Sequence, residues 1–275
     1  MENVTKQQFL IFSTDITNFL SQYIDISKIA KNYLSTNCIL TNYKLNKIRI
    51  APNDFLEVIV DKDCGVTTVP IVFNRFGFKL ANPICYVRNM PNDPDGLKNT
   101  MFHELMHVGS ISQTLISKTK LLYNTGLYSK VYNSNKNFEE EKYEFLNEAM
   151  TELTAKFIYD KLYDKKYEII TISGQEYKNS IYAKEYFLLS FLLLNYFEEH
   201  PNVLFDIYFN NKINLFKKVV ADNTCMNFEQ LNYKINELHN NPDNFIIDYE
   251  YKKTIRKLNR KNPLRNKDVL RQYNL

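Results

Sequence analysis

The sequence predicts an α+β fold in which a small sheet near the N-terminus is followed by a mostly helical part. Four short β-branched runs between Lys47 and Arg88 (KIRI, LEVIV, TTVPIVF and ICYV) are separated by Pro, Asn, Asp and Gly, a pattern typical of strands. Beyond a strong turn signal, PNDPDG at residues 91–96, helical patterns dominate. With 275 residues, 44% of them apolar and 24% charged, the chain can bury a core without disulfides.

The same signals predict the order of the elements. Pro70 and Pro83 place their segments at a sheet edge or at the start of a strand, because proline cannot donate a ladder hydrogen bond. The polar residues 119–137 are expected to form a long loop. Helices are expected to break at His200-Pro201 and at Asn241-Pro242. The helices themselves are predicted over residues 5–34, from Leu97 to about Ile116, from about Phe138 to Leu162 and, in several pieces, from Gln175 to about Leu258.

The chain divides by pattern into residues 1–96 with helices and the sheet, residues 97–251 with the main helices, and a basic tail at 252–275. The net charge is +4, but the tail alone carries nine basic side chains and a single acid, Asp268. Such a tail can bind nucleic acid or another anionic partner, although a solvated helix or a frayed end is more common. No aromatic platform or nucleic-acid motif accompanies it, so the solvated tail is the preferred interpretation.

Cysteine usage and the apolar stretches exclude further classes. The four cysteines form no CxxC pair, which argues against a cysteine zinc site and against a disulfide scaffold. The first residues lack a basic segment followed by a long apolar one, so no secretory signal is predicted. The longest apolar stretch, Tyr186 to Phe197, is too short to span a bilayer. We therefore expect a soluble cytoplasmic protein without a membrane span, and secretion by a non-classical route stays open.

One segment carries recognisable chemistry, MFHELMHVGS at residues 101–110. It contains His103, Glu104 and His107 in the order H-E-x-x-H, and two of the four histidines of the chain fall in it. On a helix, positions i and i+4 share one face, so both imidazoles can reach a single Zn²⁺ at about 2.0–2.1 Å. The Glu104 carboxylate can then act on a water molecule beside the metal rather than on the metal itself.

A third ligand is needed to complete such a site. The pattern HExxHxxGxxH is excluded, because Ser110 and Gln113 stand where Gly and the last His belong. The later segment LNEAMTEL offers Glu148 and Glu152 at i and i+4 on one helical face. One of them can bind zinc, and the other can accept a hydrogen bond from a ligand imidazole and so fix its orientation.

HELMH followed by LNEAMTE resembles the gluzincin metallopeptidases, over about residues 97–155. Both the thermolysin group and the aminopeptidase N group place the zinc-binding Glu directly after an Asn, which implies Glu148 as the third ligand. The resemblance to the thermolysin group also implies that Glu152 orients a ligand histidine. The gap of 41 residues from His107 to Glu148 is about twice that of those groups. Longer gaps occur in the anthrax lethal factor-like group, and the choice among these branches stays open.

The resemblance also implies an architecture and a further catalytic group. A twisted sheet precedes the HExxH helix in such proteins, and its edge strand runs antiparallel to the bound peptide. The run ICYVRNM at residues 84–90 is the candidate edge, although an ordinary sheet strand is an equal alternative. A Tyr or His downstream of the third ligand stabilises the oxyanion. The candidates here are Tyr208, His200 and His239.

The predicted function is a zinc-dependent peptidase that hydrolyses peptide bonds with metal-activated water and Glu104 as the general base. An endopeptidase is preferred, because the sequence lacks a G-x-M-E-N-like segment for binding a free amine. The partner would be a peptide or protein substrate. Two alternatives stay open. One is a mobile-element regulatory protein that binds or cleaves a repressor or partner, with the tail at 252–275 contacting DNA. The other is a non-catalytic zinc-binding domain.

Overall fold

A computed structural model confirms the α+β fold class. The helix expected over residues 5–34 and the strand expected at LEVIV lie outside the residues that the structure describes. The described residues are 49–51, 65–69, 71–74, 77–80, 83–88, 94–117, 119–133, 138–163, 183–241, 252–254 and 256–257.

Short strands precede the first described helix, as the sequence predicts. They are β1 (Arg49–Ala51), β2 (Gly65–Thr68), β3 (Ile71–Asn74), β4 (Gly77–Leu80) and β5 (Ile84–Arg88). The described strands form a three-stranded sheet in the order β1-β5-β2 and an antiparallel pair, β3-β4. β5 runs parallel to β1 and antiparallel to β2. Pro83 directly precedes β5, which is the strand-start position expected of a proline in a sheet.

Of the two interpretations of residues 84–90, the ordinary sheet strand is correct and the exposed edge is wrong for the described part, Ile84–Arg88. Tyr86 of β5 pairs with Arg49 on one side and with Val66 on the other, so β5 is the central strand. Its inward side chains, Cys85 and Val87, are almost fully buried. An apolar strand buries the most apolar surface at an interior position of a covered sheet. Among the described strands, β2 occupies an edge of this sheet.

Helix α1 (Pro94–Ser110) packs on β2 and β5. It begins three residues before the predicted start at Leu97, because proline fits the first turn, where its missing amide is not needed. It ends at Ser110 instead of continuing to Ile116. The apolar side chains that it buries are Met101, Phe102, Leu105, Met106 and Val108.

The prediction of a long polar loop at residues 119–137 is wrong, because most of this segment belongs to an antiparallel four-stranded sheet. The strands, in sheet order, are β6 (Ser112–Ser117), β7 (Lys120–Thr125), β8 (Tyr128–Asn133) and β9 (Phe138–Lys142). Tyr, Val, Leu and Thr favour strands even in a polar segment. The tight turn between β7 and β8 uses Gly126, whose φ of 55° lies in the left-handed region that glycine tolerates.

The acids of the FEEEK segment mark a strand rather than the predicted helix start near Phe138. In β9 Glu141 lies opposite Lys130 of β8, and their charged groups are 3.6 Å apart. The helix begins instead at Glu144. Acidic residues favour both a helix N-terminus and a cross-strand pair with lysine, and here the strand partner decides.

The remaining described elements are helices, and the predicted breaks are confirmed. One helix ends at Glu199 and the next begins at Pro201, and the last long helix ends at Asn240, just before Asn241-Pro242. The helices are α2 (Glu144–Leu162), α3 (Ala183–Glu199), α4 (Pro201–Phe209), α5 (Ile213–Asn223) and α6 (Phe228–Asn240). Asn227 and Gln230 form a capping box that begins α6.

Helix α2 lies at the centre of the core. Its apolar side chains contact α1, α3, α4 and α6, and Leu146, Ala149, Met150, Leu153 and Ile158 are fully buried. Because this packing leaves little room for displacement, α2 and α1 are held in a fixed relation.

The turn between β7 and β8 is attached to this core by Asn147 of α2. The Asn147 side-chain oxygen accepts hydrogen bonds from the backbone amides of Leu127 (2.8 Å) and Tyr128 (3.3 Å). Asn211 donates a hydrogen bond to the carbonyl of Gly126. The sheet is therefore attached to the helix that begins directly after it.

The first residues of the basic tail contact the helical body. Thr254 is buried and accepts a hydrogen bond from the backbone amide of Cys225. The Lys257 ammonium donates to the carbonyls of Asp222 (3.0 Å) and Thr224 (3.2 Å) at the end of α5, where the helix dipole favours a cation. Separately, none of the described helices combines the length and the apolar character needed to cross a bilayer.

We expect Asn147→Ala to lower the free energy of unfolding by about 1–3 kcal/mol, because two amides of the β7–β8 turn lose their acceptor. Urea unfolding followed by circular dichroism measures this change. Asn214→Ala, which alters an exposed asparagine of α5, is the matched control and should leave stability nearly unchanged. An equal change in the free energy of unfolding in the two variants would show that the Asn147 hydrogen bonds do not stabilise the fold.

Candidate metal centre

Helix α1 presents both motif histidines on one face. His103 and His107 are one turn apart, and their ring centroids are separated by 4.8 Å. Their Nε2 atoms are 3.1 Å apart. Because residues i and i+4 of a helix share one face, the two imidazoles point the same way, towards the carboxylates of α2.

Helix α2 brings Glu148 to the same point. Glu148 Oε2 lies 3.1 Å from His103 Nε2 and 3.3 Å from His107 Nε2. The three side chains are largely buried, with 14%, 12% and 17% of the surface of His103, His107 and Glu148 exposed. Two imidazoles and one carboxylate thus form a group that could hold a metal ion.

The spacing of these atoms fits a tetrahedral metal site. A tetrahedral ion with ligand bonds of about 2.0–2.1 Å places its ligand atoms about 3.3 Å from one another. The observed separations of 3.1, 3.1 and 3.3 Å match that value. When His103 donates from Nδ1 to Glu152, its Nε2 presents a lone pair, so donors for a cation converge at this point.

Glu152 lies one turn beyond Glu148 and contacts the other side of His103. Its Oε2 is 2.9 Å from His103 Nδ1, and its Oε1 is 3.3 Å from the Lys156 ammonium. Burial works against ionisation of Glu152, but Lys156 and His103 outweigh it and lower the pKa to about 2. Glu152 is therefore an anion that can fix the tautomer and the ring orientation of His103.

The Glu104 carboxylate is separate from the three converging atoms. It is 4% exposed, and the Thr67 hydroxyl of β2 donates a hydrogen bond of 2.6 Å to its Oε2. Burial raises the pKa of Glu104, while His107, His103 and the Thr67 hydrogen bond oppose the rise. A buried carboxylate with a raised pKa beside a metal-ligand group has the properties of a general base.

The charges of the ligand group depend on one another. Burial alone would lower the pKa of His103, but hydrogen bonds with Glu148 and Glu152 outweigh it and hold the pKa well above its ordinary value of 6.5. Burial would likewise raise the pKa of Glu148, yet His107 and His103 hold it well below its ordinary range.

The β6–β9 sheet anchors the end of the motif helix. The His107 carbonyl accepts hydrogen bonds from Ser110 (3.0 Å) and from Thr125 of β7 (3.1 Å), whose hydroxyls also contact each other. Most of the chain between His107 and Glu148, which are 41 positions apart, thus forms a sheet that contacts both ligand helices.

The three residues predicted to stabilise an oxyanion have contacts of their own. Tyr208 is fully buried, and its hydroxyl lies 2.8 Å from Thr151 of α2, one turn after Glu148. His239 is 2.8 Å from Glu185 and stacks on Phe145. His200 lies exposed between α3 and α4. Of the three, Tyr208 also interacts electrostatically with Glu148 and Glu104.

The sequence reasoning missed three residues around the site. Lys156 could have been found, because it stands four residues after Glu152 on the same helix face. Thr67 carries no local signal, since it lies 37 residues before Glu104 in an ordinary strand. Tyr123 of β7, which interacts electrostatically with Glu148, fell in the segment predicted as a loop.

We expect the stability of chelator-treated protein to decrease as pH rises above 6.5. The pKa of His103 is raised in the folded state, so its contribution is complete below 6.5 and is lost as pH rises through the folded value. In that window one proton is released on unfolding, which gives a slope of about 1.4 kcal/mol per pH unit. The pKa values of Glu148 and Glu152 are lowered in the folded state. Their contribution to stability is therefore complete above about pH 4.5 and is lost as the pH falls further.

Urea unfolding at a series of pH values tests this expectation. His103→Gln should flatten the slope above pH 6.5, whereas His200→Gln, the same change at an exposed histidine, should leave it as in the wild type. An unaltered slope in His103→Gln would contradict the assignment.

Comparisons with known proteins identify no relative. No protein-family model matches the chain, and no curated protein and no solved structure is detectably similar to it. Its function must therefore be inferred from the fold and from the side chains of the metal centre.

Proposed function

We propose that the protein is a zinc-dependent peptidase, and we favour an endopeptidase over an aminopeptidase. The observation that carries this proposal is the convergence of His103 Nε2, His107 Nε2 and Glu148 Oε2 at tetrahedral spacing, with the Glu104 carboxylate on the same helix. Two imidazoles and one carboxylate are a donor set of catalytic zinc sites, in which the fourth position is left to solvent or substrate. A structural zinc site would use four protein ligands.

Zinc, when bound, would polarise a peptide carbonyl and acidify a water molecule. Glu104 takes a proton from the attacking water, whose oxygen forms a bond to the carbonyl carbon. Glu104 then gives that proton to the amide nitrogen as the C–N bond breaks, so that an acid and an amine are released. The burial that raises its pKa makes Glu104 a stronger base at neutral pH than an exposed carboxylate.

Residues behind the ligands support this chemistry by holding them in place. Glu152 accepts from His103 Nδ1, and Lys156 holds Glu152 ionised, so the lone pair of His103 Nε2 points towards the shared position. Positioning of this kind reduces the rearrangement required when the metal binds.

A peptide substrate is supported by the location of β2. This strand is an edge of its sheet among the described strands, and its Thr67 contacts Glu104 directly. An extended peptide that paired with β2 by main-chain hydrogen bonds would lie beside the general base. Such pairing requires no free terminus and therefore favours internal cleavage.

We expect Glu104→Gln to lower peptide hydrolysis by about 10²–10⁴-fold while zinc content stays at the wild-type level, because the amide cannot accept the proton. Cleavage of a broad peptide library, read by mass spectrometry, and metal analysis of the same samples measure both quantities. Glu199→Gln, at an exposed position of α3, is the control.

The outcomes of this experiment separate the candidate functions. Retained zinc with lost hydrolysis supports the peptidase. Equal hydrolysis in wild type and Glu104→Gln would contradict it, and a wild type inert on every peptide would favour a non-catalytic metal-binding domain. The DNA-contacting regulator is tested separately by deleting residues 252–275 and measuring DNA binding against salt.

A second prediction separates a ligand from a positioning residue. Glu148→Ala should abolish specific zinc binding, because one of the three donor atoms is removed. Glu152→Gln should keep one zinc per chain but weaken its affinity by about 10–100-fold. Competition with a chromophoric chelator gives both values. Equal affinities in the two variants would contradict the assigned roles.

A further inference from the structure

We propose that strand β2 positions the general base, with the Thr67 hydroxyl and the missing side chain at Gly65 together holding the Glu104 carboxylate in one orientation. This inference rests on the proposed function, because it assigns a role within the same reaction. Thr67 and Gly65 are positioning residues here, since they act on Glu104 and not on a substrate.

The Thr67 hydroxyl donates its hydrogen bond to the Glu104 carboxylate. Its Oγ1 is 2.6 Å from Glu104 Oε2, compared with 3.4 Å to the Glu104 carbonyl and 3.3 Å to Cys85 Sγ. A hydroxyl has a single proton, and a charged acceptor at the shortest distance takes it. Oε2 is therefore fixed by β2, and Oε1 is the oxygen left to exchange a proton with water.

Gly65 gives that second oxygen its space. Residues 65 and 67 point to the same face of β2, because side chains alternate along a strand. A Cβ at position 65 would lie 2.9 Å from Glu104 Oε1, 3.0 Å from Glu104 Cγ and 2.7 Å from Thr100 Cγ2. A side chain at this position therefore requires Thr100 or the Glu104 carboxylate to shift, and we expect the carboxylate to leave the place where Thr67 holds it.

The two contacts together limit the carboxylate to one rotamer. A general base works only when its oxygen is within about 2.6–3.2 Å of the proton that it takes. A rotated carboxylate would therefore no longer take the proton, although substrate binding would be unchanged. Thr67 keeps its own proton throughout, and Glu104 carries the transferred proton from water to nitrogen. The effect of β2 side chains should therefore fall on kcat and not on KM or on zinc content.

The test compares Thr67→Val, Thr67→Ser and Gly65→Ala with Thr114→Val, which makes the same change at an exposed position of strand β6. We expect Thr67→Val to lower kcat by about 10- to 100-fold with unchanged KM and zinc content, because a charge-assisted hydrogen bond is lost. Thr67→Ser should restore most of kcat. Thr114→Val should behave as the wild type.

Crystal structures of wild type, Thr67→Val and Gly65→Ala supply a readout that does not depend on activity. We expect the Glu104 carboxylate to leave its wild-type orientation in both variants. Should Thr67→Val be unfolded by circular dichroism, Gly65→Ala and Thr67→Ser carry the comparison, since Gly65→Ala displaces the carboxylate with the hydroxyl present.

The outcomes distinguish this inference from the proposed function. An unmoved Glu104 and an unchanged kcat in Thr67→Val would overturn the positioning role while leaving the peptidase intact. A wild type that cleaves no peptide, combined with a Glu104 that rotates in the variants, would overturn the peptidase while supporting the positioning of the carboxylate. A kcat that falls equally in Thr67→Ser and Thr67→Val would also overturn the role of the hydroxyl.

Discussion

The packing of α1 against α2 is the constraint on which the site depends. Neither helix supplies enough ligands by itself, because α1 carries two imidazoles and α2 the carboxylate that joins them. The fully buried side chains of α2 set the distance and rotation between the helices. Since close-packed interiors resist displacement, the apolar core determines the geometry of the polar centre.

The sheet between the two helices has a part in the same constraint. Thr125 binds the last turn of α1, and Asn147 of α2 binds the β7–β8 turn. Both helices are thereby attached to one sheet at points close to their ligands. The long separation between His107 and Glu148 is thus compatible with a rigid centre, because the described strands of the inserted chain form one sheet that contacts both helices.

The sequence predicted the fold class, the motif helix and the helix breaks, because helical spacing and proline are local signals. It also predicted one site for His103, His107, Glu148 and Glu152, because i and i+4 spacing places each pair on one helix face and the resemblance of the two motifs to a metallopeptidase family implied that the pairs meet. It failed on the β6–β9 sheet, because the polar composition of the segment outweighed the strand preference of its Tyr, Val and Thr residues. It could not decide whether β5 is an edge strand or an interior strand, because sheet order depends on contacts between distant segments. For the same reason Thr67 could not be found.

The Lys156 ammonium contributes to the net charge of the buried site, and that charge affects how the site exchanges ions with solvent. With neutral imidazoles, the three carboxylates Glu104, Glu148 and Glu152 and this one ammonium sum to a formal charge of −2. A divalent cation would make this buried region electrically neutral, and without it a proton on His103 offsets part of the same deficit. Binding of a divalent cation at this site would therefore displace that proton, and acidification of the medium would oppose the binding.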